Sequence, residues 1–329
     1  MKWKKEEYIL LFSYINLFDI IYNKDQFNIQ RGVIIGLFNR FRKDSLLKKA
    51  HNLFNQGKYH EALDYYNQTL EIDPNHIKAW NGKGVVFEKL GCLNKALKCH
   101  DKVSDLDSKS LYAWYNKGKV LVDLGRFDEA LECFDKVLKL DTKFYHAWQG
   151  KGKIFVDLGK LDKALKCFNK ALTLNSEYSL SWSGKGNVLI DLERFDEALE
   201  CFDKVLELNP DDALAWNGKG IALANLDRSN EAFNCFNKAL ELDMGDNYFW
   251  INKGFILKKM GKPQEALECF DEALELDPDN ISAWIGRGIV FIDLNQFNKS
   301  LECFDKALEL DPEDEDARKY RDEILYSTS

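Results

Sequence analysis

The sequence is short of proline, of histidine and of positive charge. Its 329 residues include five prolines and five histidines, and 46 Lys and Arg stand against 54 Asp and Glu, for a formal net charge of −8. A protein that grips nucleic acid by its phosphates needs clustered cations, so this balance argues against a nucleic-acid partner. No Pro-, Ser- or Gln-rich stretch marks a linker, so composition sets no domain boundary.

Motifs that carry chemistry are missing as well. Neither an HExxH nor a CxxC spacing occurs. Gly82-Lys83-Gly84 and its later copies have the composition of a phosphate loop, but the GxxxxGK[ST] spacing and the strand before it are absent. We expect these glycines to lie inside helices, where Gly84 and its equivalents let a neighbouring helix approach; the sequence offers no explanation for Gly82 and its equivalents. The sequence therefore predicts no enzyme activity, no cofactor and no metal site.

The sequence contains an internal repeat with a period of 34 residues. Seven copies have a tryptophan and a glycine four residues later, most then have an alanine and a phenylalanine, and several have a proline near their end; a weaker first copy has Leu46 for the tryptophan. The tryptophans are Trp80, Trp114, Trp148, Trp182, Trp216, Trp250 and Trp284. This pattern resembles the tetratricopeptide repeat family. The resemblance covers eight copies: 43–76, 77–110, 111–144, 145–178, 179–212, 213–246, 247–280 and 281–314.

Each copy predicts two helices. In copy 111–144 the apolar residues follow a helical spacing until Gly125, and Asp128 stands where we expect the N-cap of a second helix. Neither helix can bury its apolar stripe alone, so the copies must stack. The resemblance implies an all-α fold, an α-solenoid in which helix-turn-helix repeats form a right-handed superhelix. Residues 1–42 are predicted to be an apolar helical N-terminal segment and 315–329 a C-terminal capping helix.

Cysteine repeats with the same period. The seven members are Cys99, Cys133, Cys167, Cys201, Cys235, Cys269 and Cys303. Helices that pack against each other lie about 8–10 Å apart, which exceeds the roughly 7 Å limit between the Cα atoms of a disulfide. We therefore expect small, buried hydrophobic residues and a reducing, cytoplasmic location.

Function is predicted to lie on the variable positions of the first helices, because the Trp, Gly, Ala and Phe positions are fixed by stacking. In the resembling family these positions line a concave groove that receives a peptide. The predicted groove residues are Tyr112, Tyr115, Asn116, Lys119, His146, Gln149, Lys153, Ile221, Tyr248, Ile251, Asn252, Phe255, Ile285, Ile289 and Ile292. Two alternatives stay open: a binding surface, or ordinary ion pairs and packing between repeats.

The resemblance also restricts the class of ligand that we expect. Family members that hold the acidic C-terminal tail of a chaperone use a Lys-Asn clamp across three consecutive repeats, and no three copies here supply it. Asn116 and Asn252 match the position at which the family contacts a peptide backbone. The predicted function is a protein-protein interaction scaffold or adaptor that holds a peptide or helix of a partner. The alternatives are a self-assembling structural unit and an accessory subunit of an enzyme complex such as a glycosyltransferase.

The front of the chain carries its longest apolar stretch, at 8–22. It is too short to span a bilayer and has no signal-peptide cleavage site. Three interpretations are open: a cap on the first repeat, a contact with a membrane surface, or a docking segment for another chain. In the last case it would occupy the apolar part of a neighbouring molecule's groove, and the chain would self-associate.

Overall fold

The computed structural model describes residues 24–328, and within that range the chain is all-helical, without strands. The fold is the expected α-solenoid, built of paired antiparallel helices. Its 17 helices are α1 (Lys24–Asn55), α2 (Tyr59–Ile72), α3 (Ile77–Lys89), α4 (Leu93–Leu106), α5 (Leu111–Asp123), α6 (Phe127–Leu140), α7 (Tyr145–Asp157), α8 (Leu161–Leu174), α9 (Ser179–Asp191), α10 (Phe195–Leu208), α11 (Ala213–Asn225), α12 (Ser229–Leu242), α13 (Asn247–Lys259), α14 (Pro263–Leu276), α15 (Ile281–Asp293), α16 (Phe297–Leu310) and α17 (Glu315–Thr328).

The chain forms two compact units, Met1–Thr142 and Lys143–Ser329. The first contains α1 to α6 and the second contains α7 to α17. Helix α1 continues through residue 43, so the predicted border between the N-terminal segment and the first repeat falls inside one helix. That border stays a prediction, and the apolar stretch 8–22 lies outside the described residues.

The turn within each repeat needs one residue of left-handed backbone. Gly125 supplies it between α5 and α6 with φ of 70°, and glycine adopts this conformation without steric penalty. Glu193 occupies the equivalent place between α9 and α10 with φ of 58°, where an L-residue is strained by roughly 1–2 kcal/mol. The same turn is therefore built by both residue types, and stacking holds the strained copies in place.

The predicted N-cap at Asp128 is wrong. Helix α6 begins one residue earlier, at Phe127, and its N-cap is Arg126, which makes no side-chain cap hydrogen bond. Asp128 and Glu129 instead lie in the first turn, where a carboxylate stabilises the positive end of the helix dipole. Arg126 donates from Nε to Glu129 at 2.7 Å. Side-chain capping occurs at the start of first helices, as in α11, where Asp212 Oδ1 accepts from the backbone of Ala215 at 2.9 Å.

In the repeats of Phe168, Phe202 and Phe270, the core is a phenylalanine of the second helix held between two glycines of first helices. A Cβ on Gly186, in the same repeat as Phe202, would come within 2.8 Å of that ring, and a Cβ on Gly218, in the next repeat, within 2.5 Å. Phe202 is 1% exposed. Gly254 and Gly286 enclose Phe270 in the same way. The glycines are therefore required by contact between helices and have no phosphate to hold.

Six of the seven repeat tryptophans donate to a carbonyl of the loop before their helix, and all seven lie under a cation of the next turn. Trp148 alone among the seven has a buried indole N–H without a hydrogen-bond partner in the described part of the chain. The Trp216 indole donates to the carbonyl of Pro210 at 2.8 Å, and Lys219 lies over the same ring at 5.6 Å. The cation over each tryptophan is three residues further on: Lys83, Lys117, Lys151, Lys185, Lys219, Lys253 and Arg287. Such cation–π contacts contribute about 0.5–1 kcal/mol each at exposed sites.

Helix α17 continues this pattern without a tryptophan. Arg318 stands 34 residues after Trp284 and donates to the carbonyl of Pro312 at 2.6 Å, as the indole of Trp284 does to Pro278 at 2.9 Å. Tyr320 stacks on Phe304, with ring centroids 5.6 Å apart. The last described helix therefore packs on the apolar side of the last repeat.

Candidate partner-binding surface

The predicted groove residues fall in both compact units. Four lie in the first unit, on α5: Tyr112, Tyr115, Asn116 and Lys119. The other eleven lie in the second unit, on α7, α11, α13 and α15. Because each unit is a separate body, we consider two candidate surfaces. Their role in binding stays a prediction.

On α5 the side chains are tied to their neighbours. Tyr112 is 66% exposed, whereas Tyr115 is half-buried with its ring 5.9 Å from that of Phe134. The Asn116 amide donates to Asn81 Oδ1 at 3.2 Å, across two repeats. Lys119 lies 3.4 Å from a carboxylate oxygen of Glu88. The surface on α5 is polar, and most of its side chains contact neighbouring residues of the same unit.

A buried histidine forms a hydrogen bond with Glu88. His100 replaces the phenylalanine found in other repeats, is fully buried and places Nε2 at 2.8 Å from Glu88 Oε1. Burial opposes ionisation of Glu88, but the hydrogen bond from His100 and the charge of Lys119 outweigh it and lower the pKa of this carboxyl. Nδ1 of His100 is buried and has no hydrogen-bond partner among the described residues. No pattern in the sequence predicts that His100 and Glu88 are in contact.

In the second unit, two predicted groove residues serve packing between repeats. Ile251 is 3% exposed and belongs to a core cluster with Phe270 and Val290, so we leave it out of the candidate surface. The Asn252 amide donates to Asn217 Oδ1 at 2.9 Å, as Asn116 does to Asn81. The two asparagines assigned to a peptide backbone are therefore paired with a neighbouring repeat in this structure.

The remaining isoleucines are partly covered. Ile285, Ile289 and Ile292 pack against the cluster formed by Phe304 and α17, and none of them is fully buried. Ile221 packs in part against the cluster around Phe202. The packing interpretation thus accounts for part of their area, and the rest stays open to solvent.

At the front of the second unit, the predicted residues of α7 have mixed surroundings. His146 stacks on Tyr145 at 4.1 Å between ring centroids and meets Tyr178 edge-on at 5.1 Å. Burial lowers the pKa of His146. Gln149 is half-buried, and Lys153 is exposed. These side chains form a polar continuation of the surface described next.

The second unit carries two parallel rows of apolar side chains on consecutive first helices, which contact one another. One row has its members 57%, 69% and 61% exposed: Leu180, Leu214 and Tyr248. The other row is Ile221, Phe255 and Ile289 on α11, α13 and α15, of which Phe255 is 38% exposed. Ile221 and Phe255 lie seven residues after Leu214 and Tyr248 of the first row. Seven residues are two helical turns, so the rows lie on one face about 10.5 Å apart. We call these six residues the apolar face.

Leu180 and Leu214 are not among the residues predicted from the sequence. Both stand 34-residue steps from Tyr112, His146 and Tyr248, which are. Their position within the 34-residue repeat could therefore have identified them. Leucine is common in cores, so residue type alone did not distinguish these two exposed residues from buried ones.

Charges surround the apolar face unevenly. Lys258 pairs with Asp293 at 3.6 Å, and Lys259 pairs with Asp227 at 2.5 Å. At the opposite end Asp157 and Asp191 are exposed, and among residues 24–328 neither makes an ion pair. The cations near the face are thus neutralised, and its α7–α9 end keeps open carboxylates.

The seven ladder cysteines are buried, as predicted, while the predicted location stays a prediction. None of the eight cysteines forms a disulfide, and only Cys92 is not fully buried. Burial raises the pKa of six ladder thiols to about 11: Cys99, Cys133, Cys201, Cys235, Cys269 and Cys303. Among the described residues no group of three His, Cys, Asp or Glu is placed to hold a metal ion, and no helix is both long and apolar enough to cross a membrane.

Comparison with known families decides the relationship. A tetratricopeptide repeat model matches 44–76, 111–144, 145–178, 179–212, 248–280 and 281–314, and a second model of that description matches 65–98 and 201–233. These matches cover more than half of the chain. The chain belongs to the tetratricopeptide repeat family. Proteins of this family are in general non-catalytic interaction scaffolds, and this repeat array has the fold of a protein-interaction scaffold.

Solved structures show the same fold. The APC/C hetero-tetramer Cut9–Hcn1 matches with a TM-score of 0.66 at 22% identity, over 85% of this chain and 55% of that one. A tetratricopeptide repeat protein from Parabacteroides merdae matches with 0.54 at 18% identity, over 86% and 99%. PilF of Pseudomonas aeruginosa matches with 0.57 at 16% identity, over 66% and 98%. This chain thus spans 55% of the Cut9–Hcn1 chain. A search of the curated proteins finds no match.

Proposed function

We propose that this tetratricopeptide repeat protein is a cytoplasmic adaptor without enzyme activity, and that it binds an apolar peptide or helix of a partner protein on the apolar face. The observation that carries the proposal is the pair of apolar rows on consecutive helices. Large apolar side chains that stay exposed together on one face are typical of interaction sites. Free cysteines throughout the chain favour a reducing compartment.

The chemistry of the face favours an apolar ligand over an acidic one. Full burial of a Leu or Phe side chain contributes about 1.5–3 kcal/mol, so the exposed parts of Leu180, Leu214, Tyr248 and Phe255 supply the main driving force. Lys258 and Lys259 are already paired with aspartates, which leaves no open cation pair for an acidic tail. The spacing of the rows fits two apolar anchors about 10.5 Å apart, the distance between residues i and i+7 of a docked helix.

The test is a peptide selection against the purified full chain, followed by affinity measurements on variants. Leu214→Ser and Phe255→Ser are each expected to weaken selected apolar peptides by about tenfold or more, since each removes an anchor of roughly 1–2 kcal/mol. Leu208→Ser is the matched control, because Leu208 is 43% exposed but lies on the second helix α10.

Two results would contradict the proposal. One is equal affinity in the face variants and the control, which would place the ligand elsewhere. The other is turnover of a small substrate by the purified chain alone, which would make it an enzyme. Circular dichroism of each variant confirms that the helices remain formed.

A further inference from the structure

We propose that the occupant of the apolar face is residues 2–22 of a second copy of this chain. The inference rests on the proposed function, because it names a partner for the same face. Three properties of that stretch carry it: its composition, its length and its charge. All three are compared with the described residues of the second unit.

The composition of the segment matches the face. In 8–22 the polar residues are Ser13, Asn16 and Asp19, and the other twelve are aliphatic or aromatic. Three polar residues spaced by three fall on one side of a helix, which leaves the rest of its circumference apolar. Such a surface is costly to expose to water, and the apolar face presents the same chemistry to it.

The length also matches. Fifteen residues in a bound helix would measure about 22 Å. The row of Leu180, Leu214 and Tyr248 crosses three neighbouring helices, which at a packing distance of about 8–10 Å spans roughly 16–20 Å. A helix laid along either row would therefore contact every side chain of that row.

Charge sets the direction. Lys2, Lys4 and Lys5 precede the apolar stretch and are followed by Glu6 and Glu7, so the three cations stand at the far end of a segment 2–7 that keeps a small positive net charge. On the second unit, Asp157 and Asp191 are open at the α7–α9 end, with Lys153 as a cation beside them, whereas the carboxylates at the other end already pair with lysines. The complementary arrangement places the three lysines towards Asp191 and the apolar stretch towards Phe255. Such a contact is heterologous, so it yields either a reciprocal dimer or a chain of molecules.

Sedimentation velocity of the full chain tests the proposal, from about 1 to about 100 µM. The unaltered chain and the control Leu208→Asp are expected to associate as concentration rises. The segment variant Leu10→Asp/Leu11→Asp and the face variant Phe255→Asp are each expected to remain monomeric. A mixture of the two defective variants should regain a heterodimer, because the first keeps an intact face and the second an intact segment.

A monomeric full chain at about 100 µM, or a mixture that does not associate, would overturn the second-copy occupant. Binding of the monomeric chain to phosphatidylserine vesicles, lost in Leu10→Asp/Leu11→Asp, would also overturn it and assign the segment to a membrane surface. The affinity of the selected peptides for the face variants tests the proposed function separately. If they still require Phe255 while the copies do not associate, the face binds another protein; if neither binding occurs, both proposals fail.

Discussion

Substitution of Gly218 by alanine tests how the repeats are held together. Alanine raises the helix propensity of an interior position by about 1 kcal/mol relative to glycine, so an open site would be stabilised. At Gly218, however, the added Cβ would lie 2.5 Å from both Cε1 and Cζ of Phe202. An ordinary contact needs about 3.4 Å or more, so the ring would have to move by roughly 1 Å.

Phe202 has nowhere to move. The ring is 1% exposed, and on its other side a Cβ built on Gly186 would already come within 2.8 Å of it. Overpacking of this kind costs about 1–3 kcal/mol, which outweighs the gain in propensity. We therefore expect Gly218→Ala to destabilise the chain by a net of up to about 2 kcal/mol.

The matched control is Gly36→Ala. Gly36 lies inside α1, is exposed, and has nothing within 4 Å of an added Cβ, so it is expected to gain up to about 1 kcal/mol. Urea titration followed by circular dichroism gives the sign of each change, and hydrogen exchange of α10 and α11 shows whether the loss is local to the altered contact. If Gly218→Ala were as stable as Gly36→Ala, the packing explanation for the paired glycines would be refuted.

Three further outcomes follow from the same structure. Glu193→Gly should raise the urea midpoint, by up to about 1 kcal/mol in stability, because it relieves a strained left-handed residue; no change would mean that the turn is unstrained. The double variant His100→Phe/Glu88→Val, which copies the other repeats, should raise thermal stability by about 1–2 kcal/mol because it removes an orphan buried nitrogen and a half-buried carboxylate; a lower melting temperature would show that the pair stabilises the fold. Burial raises the pKa of six ladder thiols to about 11, so the folded chain favours their protonated forms. Their contribution to the free energy of unfolding is therefore fully present below the unfolded pKa of about 8.5 and is lost as pH rises towards about 11. Urea midpoints at several pH values measure that loss, and a flat profile across this range would contradict it.

The fold could be predicted because its determinants repeat. Trp, Gly, Ala and Phe return every 34 residues in most copies, and contacts such as that between Gly186 and Phe202 recur with them. The turn was marked by Gly125, but the same turn at Glu193 carries no glycine, since stacking holds the strained residue there. The N-cap was misplaced because Asp128 is a frequent capping residue, whereas here it stabilises the helix dipole from the first turn.

The contacts between repeats were harder to predict, because they depend on three-dimensional register. Lys219 covers the Trp216 ring and pairs with Asp203 of the preceding repeat at 2.6 Å, which no pattern in the sequence predicts. Gly82 and its equivalents had no explanation from the sequence, and the structure places one of them, Gly218, against Phe202. Ile251 and Ile285 are equivalent in sequence, but only Ile251 is fully buried, in a cluster shared with α14 and α15.

Hydrogen–deuterium exchange on the full chain with a selected apolar peptide tests the central claim most directly. The account predicts slower exchange in the first helices that carry the apolar face, α9, α11, α13 and α15, and unchanged exchange in the second helices α10 and α12. Phe255→Ser should abolish that protection, while Leu208→Ser should leave it intact. Protection confined to the second helices, or to the first compact unit, would contradict the assignment of function to this face.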